Sequence, residues 1–123
     1  MQYEMKPTIA IVGRPNVGKS TLFNRLTGQP KSIVSDISGT TRDRVTADII
    51  WGDLNCVLID TGGLDEHPQS NLWQQIRNQI DLAIDEADVI LMLTDSNVGI
   101  TPADKDVADV LRKSGKQVLL VVN

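Results

Sequence analysis

Residues 13–20 read GRPNVGKS, which satisfies G-x-x-x-x-G-K-[ST] at every fixed position. The chemistry open to that spacing is the capture of a polyphosphate. Gly13 and Gly18 let the backbone turn several N–H groups inward, with Arg14, Pro15, Asn16 and Val17 as the body of the loop. A helix beginning just beyond would aim its positive end at the same anion. Lys19 supplies a full charge for the β- and γ-phosphates, and the Ser20 hydroxyl, followed by Thr21, suits a Mg²⁺ ion.

A second polar stretch, LIDTGG at 58–63, follows an apolar run. Asp60 at the end of a strand would hold Mg²⁺ through water, and the Gly63 N–H would meet a γ-phosphate, with Thr61, Gly62 and Leu64 alongside. Asp-Thr-Gly-Gly alone is a common turn; beside the first motif it reads as part of one site. The third stretch, GTTRD at 39–43, lies in the aperiodic segment 29–42. Segments of that length without structure are uncommon in a compact domain unless they function. Thr41 is placed to close over a γ-phosphate and give Mg²⁺ a second hydroxyl, so that loss of the phosphate would release the loop. The plain alternative is a connector with no task.

The elements that must hold these stretches follow from periodicity. TIAIV (8–12) is a continuous β-branched run, a strand buried on both faces. Leu22, Phe23 and Leu26 recur at helical spacing, and Gly28 ends that helix. Strict alternation from Arg44 to Trp51, then Gly52-Asp53, gives a hairpin into LNCVLID. Trp73, Ile76, Ile80, Ala83, Ile84 and Ala87 mark one stripe of a second helix, and VILMLT (89–94) a second buried strand. Thr101 and Asp104 form a capping box with Pro102 at the first helical position, Val107, Val110 and Leu111 face the core, and Gly115 closes the helix. VLLVV then reads as the last strand. The order β-α-β-β-α-β-α-β predicts one α/β domain over residues 1–123: a mostly parallel sheet with one antiparallel hairpin and helices on both faces. Trp51 and Trp73 are expected to pack in the core.

With 123 residues, 41% hydrophobic and 23% charged, the chain is one domain at most. Residues 1–50 hold seven Lys/Arg against four Asp/Glu, and residues 51–123 five against twelve. An acidic chain with a basic first part suits a local anion site better than a broad nucleic-acid footprint, and 3% aromatics argues against base stacking. The single Cys56 lies in an apolar run and is expected to be a buried, reduced thiol. No run approaches a membrane span and the N-terminus lacks a signal peptide's apolar region, so a soluble, cytoplasmic chain is expected. His67, in a polar loop, is expected to be solvated.

Taken together, GRPNVGKSTLFNRLTG, TRDR, IDTGGL, EADVI, GITPAD and LRKSGKQVLLVVN resemble the translation-factor-class GTPases, and among them the bacterial ribosome-assembly family Der, also called EngA. The resemblance runs over nearly the whole chain and matches the first of that family's two tandem GTPase domains. It implies a P-loop NTPase fold, GTP and GDP as ligands, Mg²⁺, GTP hydrolysis and service to the large ribosomal subunit. Nothing in these residues points to a direct nucleic-acid contact. The tRNA-modifying family MnmE shares GRPNVGKS and GTTRD but usually reads D-T-A-G where this chain has Asp60-Thr61-Gly62-Gly63; it stands as the second reading. A bare nucleotide-binding module without turnover is the third. Ser38 stands where the Der pattern generally has proline.

Three expectations come with the resemblance. Asn123 resembles the first letter of the guanine-reading N-K-x-D motif, so the chain is expected to be incomplete, lacking the last strand and helix. A missing aspartate with two bonds to guanine would cost about tenfold to a few hundredfold in affinity and leave the base poorly discriminated. Leu64 follows D-x-x-G where Ras-like enzymes carry a water-orienting glutamine. Family members with GRPNxGKS use the asparagine to hold K⁺, which assigns that role to Asn16; the alternative is that Asn16 shapes the loop. Arg14 and Arg42 are secondary candidates for charge near the phosphates.

Overall fold

A computed structural model describes residues 6–14, 17–28, 45–62 and 71–122. The elements run β1 (Thr8–Gly13), α1 (Lys19–Thr27), β2 (Val45–Trp51), β3 (Leu54–Asp60), α2 (Leu72–Glu86), β4 (Val89–Thr94), α3 (Pro102–Lys113) and β5 (Gln117–Val122). This is the order that the periodicities predict. The five strands form one sheet in the order β2-β3-β1-β4-β5. Only β2 and β3 are antiparallel, joined through the Gly52-Asp53 turn with Trp51 opposite Leu54. β1, β3, β4 and β5 are parallel, so the ends of β1 and β3 that carry the two motifs open on the same edge.

Side chains alternate through β1, and each face meets a different helix layer. Ile9 and Ile11 pack with Phe23 of α1 and with Ile49, Cys56, Leu58 and Leu91. Ala10 and Val12 face Ile76, Ile80 and Ala83 of α2, and Val107 and Leu111 of α3. Helices therefore cover both faces, as expected. Phe23 is fully buried, worth about 1.5–3 kcal/mol of transfer free energy. Cys56 is a free, buried thiol. Among the described residues no helix is long and apolar enough to cross a membrane.

The helices stop and start on recognisable signals. Gly28, at φ 72°, ends α1 in the left-handed region. Asn71 caps α2 by accepting from the Gln74 N–H. The Thr101–Asp104 capping box holds α3 with Pro102 in its first turn.

Two expectations about the core require correction. Trp51 is 49% exposed and Trp73 41%, so neither is a core packer. Alternation puts Trp51 on the α1 side, but it is the last residue of β2, at the hairpin turn where Ile50 and Leu54 are exposed too. Trp73 sits in the first turn of α2, where the Cα–Cβ bond tilts back toward the helix start and carries the ring off the core. Among the described residues β5 forms a sheet edge, with Leu119, Leu120 and Val122 exposed. An open apolar edge of that kind is a hazard for strand exchange.

Candidate nucleotide-phosphate site

The loop leaving β1 is shaped by two glycines with different tasks. At Gly13 the constraint is space, since an added Cβ would sit 2.8 Å from the Leu93 carbonyl oxygen and 3.0 Å from Val17 Cγ1. At Gly18 it is conformation, because the N-cap of α1 adopts φ 105°, which L side chains rarely reach. The Val17 N–H donates to the Arg14 carbonyl at 3.3 Å, and Leu22 N–H to Gly18 O at 2.9 Å, where helical bonding begins. Unlike α2 and α3, α1 has no side-chain cap, and like α2 it has no acidic residue in its first turn. Its leading N–H groups and its dipole therefore meet the loop without a capping side chain.

Lys19 fits this cradle. Its side chain is buried to 4% exposure, and Nζ donates to the carbonyls of Gly13 and Arg14, both at 2.9 Å. The ammonium thus spans the loop from beneath, holding its first two carbonyls and placing a positive charge where the helix points. An oxygen-rich dianion complements that arrangement.

The two motifs meet through Ser20 and Asp60. Ser20 Oγ donates to Asp60 Oδ2 at 3.0 Å, while Asp60 Oδ1 accepts from the Gly62 N–H at 2.9 Å. A hydroxyl and a carboxylate converging beside a buried lysine are oxygen donors of the kind Mg²⁺ prefers when phosphate oxygens complete its shell. Among the described residues no group of three His, Cys, Asp or Glu is placed to hold a metal ion.

A family model described as 50S ribosome-binding GTPase matches residues 8–123. The chain belongs to this GTPase family. Curated relatives named GTPase Der agree with it: 56% identity in Geotalea daltonii and 53% in Citrifermentans bemidjiense, each over 97% of this chain and 27% of the relative. The chain thus spans about a quarter of the length of those relatives. Among solved structures, Era from Aquifex aeolicus bound to GDP·AlF4⁻ superposes with TM-score 0.72 at 37% identity, over 97% of this chain and 41% of that one. The G domain of the FeoB iron transporter of T. maritima gives 0.70 at 26% identity, over 96% and 72%. The fold is that of the P-loop GTPases.

Within that fold, the expected residues fall into two groups. Gly13, Arg14, Val17, Gly18, Lys19, Ser20, Thr21, Asp60, Thr61 and Gly62 are gathered at the carboxyl ends of β1 and β3 and the start of α1. Pro15, Asn16, Thr41, Arg42, Gly63, Leu64, His67 and Asn123 lie outside the described residues. Arg14 contributes its carbonyl to the loop but sends its side chain elsewhere: Nε donates to Asp104 Oδ1 at 3.1 Å, with Asp104 only 2% exposed. Asp104 was legible in sequence only as a helix cap. Its Oδ2 does accept from the Thr101 N–H, so one carboxylate caps α3 and anchors the GTPase loop.

Sequence reasoning missed Gln79 of α2. It is fully buried, and its Oε1 accepts from the Gly13 N–H at 3.0 Å and from Thr61 Oγ1 at 3.1 Å. The signal was available: Gln79 interrupts an apolar stripe, three residues after Ile76 and four before Ala83, both buried. A polar side chain on a buried helix face needs a partner.

Proposed function

We propose that this chain is the first GTPase domain of a Der-type protein, a GTP-binding and GTP-hydrolysing switch that serves assembly of the large ribosomal subunit in the cytoplasm. The observation that carries the reading is the buried Lys19 ammonium bridging the Gly13 and Arg14 carbonyls, beside a Ser20–Asp60 contact that joins the two phosphate-facing motifs. The Der relatives and the family description support the ribosomal part of the proposal.

In this reading the inward N–H groups of the loop and the first turn of α1 bind the α- and β-phosphates, and Lys19 neutralises charge on the β- and γ-phosphates. Ser20 and Asp60 would hold Mg²⁺, with Thr41 as the second hydroxyl; when bound, the ion supplies charge neutralisation between the phosphates. The Gly63 N–H meets the γ-phosphate, and Leu64, which cannot hydrogen-bond water, leaves orientation of the attacking water to another group. Asn16 would hold a K⁺ ion, which would supply the charge neutralisation that an arginine finger gives elsewhere.

Single-turnover hydrolysis of GTP in KCl and in NaCl tests this directly. The expected result is release of phosphate that is about tenfold or more faster in KCl, in line with the loss seen when one transition-state charge stabiliser is removed. Equal rates would remove the K⁺ role of Asn16. Bound GTP that is never hydrolysed would leave a nucleotide-binding module without turnover.

A further inference from the structure

Gln79 joins three segments that a GTPase must keep in register. Its Oε1 accepts from the main-chain N–H of Gly13, where the phosphate loop leaves β1, and from the hydroxyl of Thr61 in the D-x-x-G turn. The glutamine itself belongs to α2. The Gly13 donor fixes which end of the amide faces the site, because an N–H can only meet the oxygen. The Thr61 hydroxyl has one proton and two acceptors, the Ile11 carbonyl at 2.7 Å and Gln79 Oε1 at 3.1 Å, and shares it between them. All three groups are buried, so water cannot replace Gln79 without a cavity being opened.

We propose that Gln79 is a positioning residue that sets the D-x-x-G turn against the phosphate loop, and that its effect falls on triphosphate rather than diphosphate binding. This rests on the proposed assignment of the Gly63 N–H to the γ-phosphate. Thr61 lies two residues before Gly63 in the chain, so under that assignment a displacement of Thr61 would carry over to the γ-phosphate contact. GDP has no γ-phosphate and does not draw on it. The contacts proposed for the α- and β-phosphates run through Lys19 and the start of α1, whereas Gln79 Oε1 accepts from Gly13 and Thr61.

The test compares affinities for GDP and for the non-hydrolysable triphosphate GDPNP, in Mg²⁺, at a temperature where each variant is shown to be folded. Gln79→Leu, which keeps the volume and removes the acceptor, is expected to weaken GDPNP about tenfold more than GDP. Gln79→Glu keeps an acceptor oxygen and is expected to restore the parent ratio to within about threefold of its value. Thr61→Val removes the shared hydroxyl while leaving the Gly13 bond, and is expected to show the same selective loss; it carries the test if Gln79→Leu does not fold. Equal losses for both nucleotides in Gln79→Leu and Thr61→Val would mean that the network only stabilises the fold, and would overturn the proposal. If the parent chain binds GDP but no variant changes the ratio, the inference fails while the nucleotide site stands. If the parent binds neither nucleotide, the site reading fails and this inference with it.

Discussion

Replacing Lys19 with methionine is expected to reduce affinity for guanine nucleotides by about a hundredfold to ten-thousandfold. The estimate takes two charge-assisted contacts to phosphate at roughly 1.5–3 kcal/mol each and a tenfold change per 1.4 kcal/mol. Methionine keeps the unbranched stem, so the apolar packing of a side chain that is 4% exposed is retained and the lost quantity is the charge. The fold should respond far less than binding. The Gly13 and Arg14 carbonyls lose their shared donor, which costs about 1–3 kcal/mol for each one left unpaired in the interior. Against that, the cost of burying an ammonium disappears. Titration of labelled GDP, with urea unfolding on the same sample, separates the two. An affinity within threefold of the parent would show that Lys19 holds the loop and does not read phosphate.

The second large effect is expected at Gly13. An alanine Cβ would lie 2.8 Å from a backbone carbonyl, that of Leu93, which pairs with Gly13 across the parallel β1–β4 ladder. Neither strand can retreat, because both are central in the sheet and covered on both faces. Overpacking of this kind costs about 1–3 kcal/mol or somewhat more, and any relief must come from moving the start of the phosphate loop. Gly13→Ala should therefore lower stability and weaken nucleotide binding together. Gly28→Ala is the control: nothing lies within 4 Å of its added Cβ, but φ is +72°. It should lose about 1–2 kcal/mol of stability with affinity unchanged. Equal affinities in parent and Gly13→Ala would refute the link between that contact and the loop.

How far these features were legible in sequence depended on whether the constraint was local. The turn at Gly13 and Gly18 and the helix start at Lys19 and Ser20 were legible because they are set by backbone geometry within eight residues. The same is true of the Gly52-Asp53 turn and of the Thr101–Asp104 box, whose donors and acceptors are neighbours in the chain. Exposure was less legible. Alternation assigns Trp51 to a face but carries no information on how far α1 reaches along it, and the run at 118–122 does not reveal that β5 is an edge strand among the described residues. Least legible were contacts across long separations. Arg14 and Asp104 are 90 positions apart, Gly13 and Gln79 66, and no periodicity links such pairs. Gln79 did leave a trace, as a polar interruption of a buried stripe. It was readable as a residue in need of a partner, though not as one whose partners are the two nucleotide motifs.

These long-range bonds also explain how an edge of loops can act as one site. Asp104 ties the phosphate loop to α3, Gln79 ties it to α2, and Asp60 ties it through Ser20 to β3. Each uses a side chain that is itself anchored in a regular element, which is what a preorganised phosphate cradle requires.

The most direct test of the account is a titration of the 123-residue chain with fluorescent GDP in Mg²⁺, followed by competition with unlabelled GDP and repetition with Lys19→Met. The account predicts saturable, competable binding that the substitution weakens at least a hundredfold. Absence of saturable binding by the folded parent chain, or binding that Lys19→Met leaves intact, would contradict it.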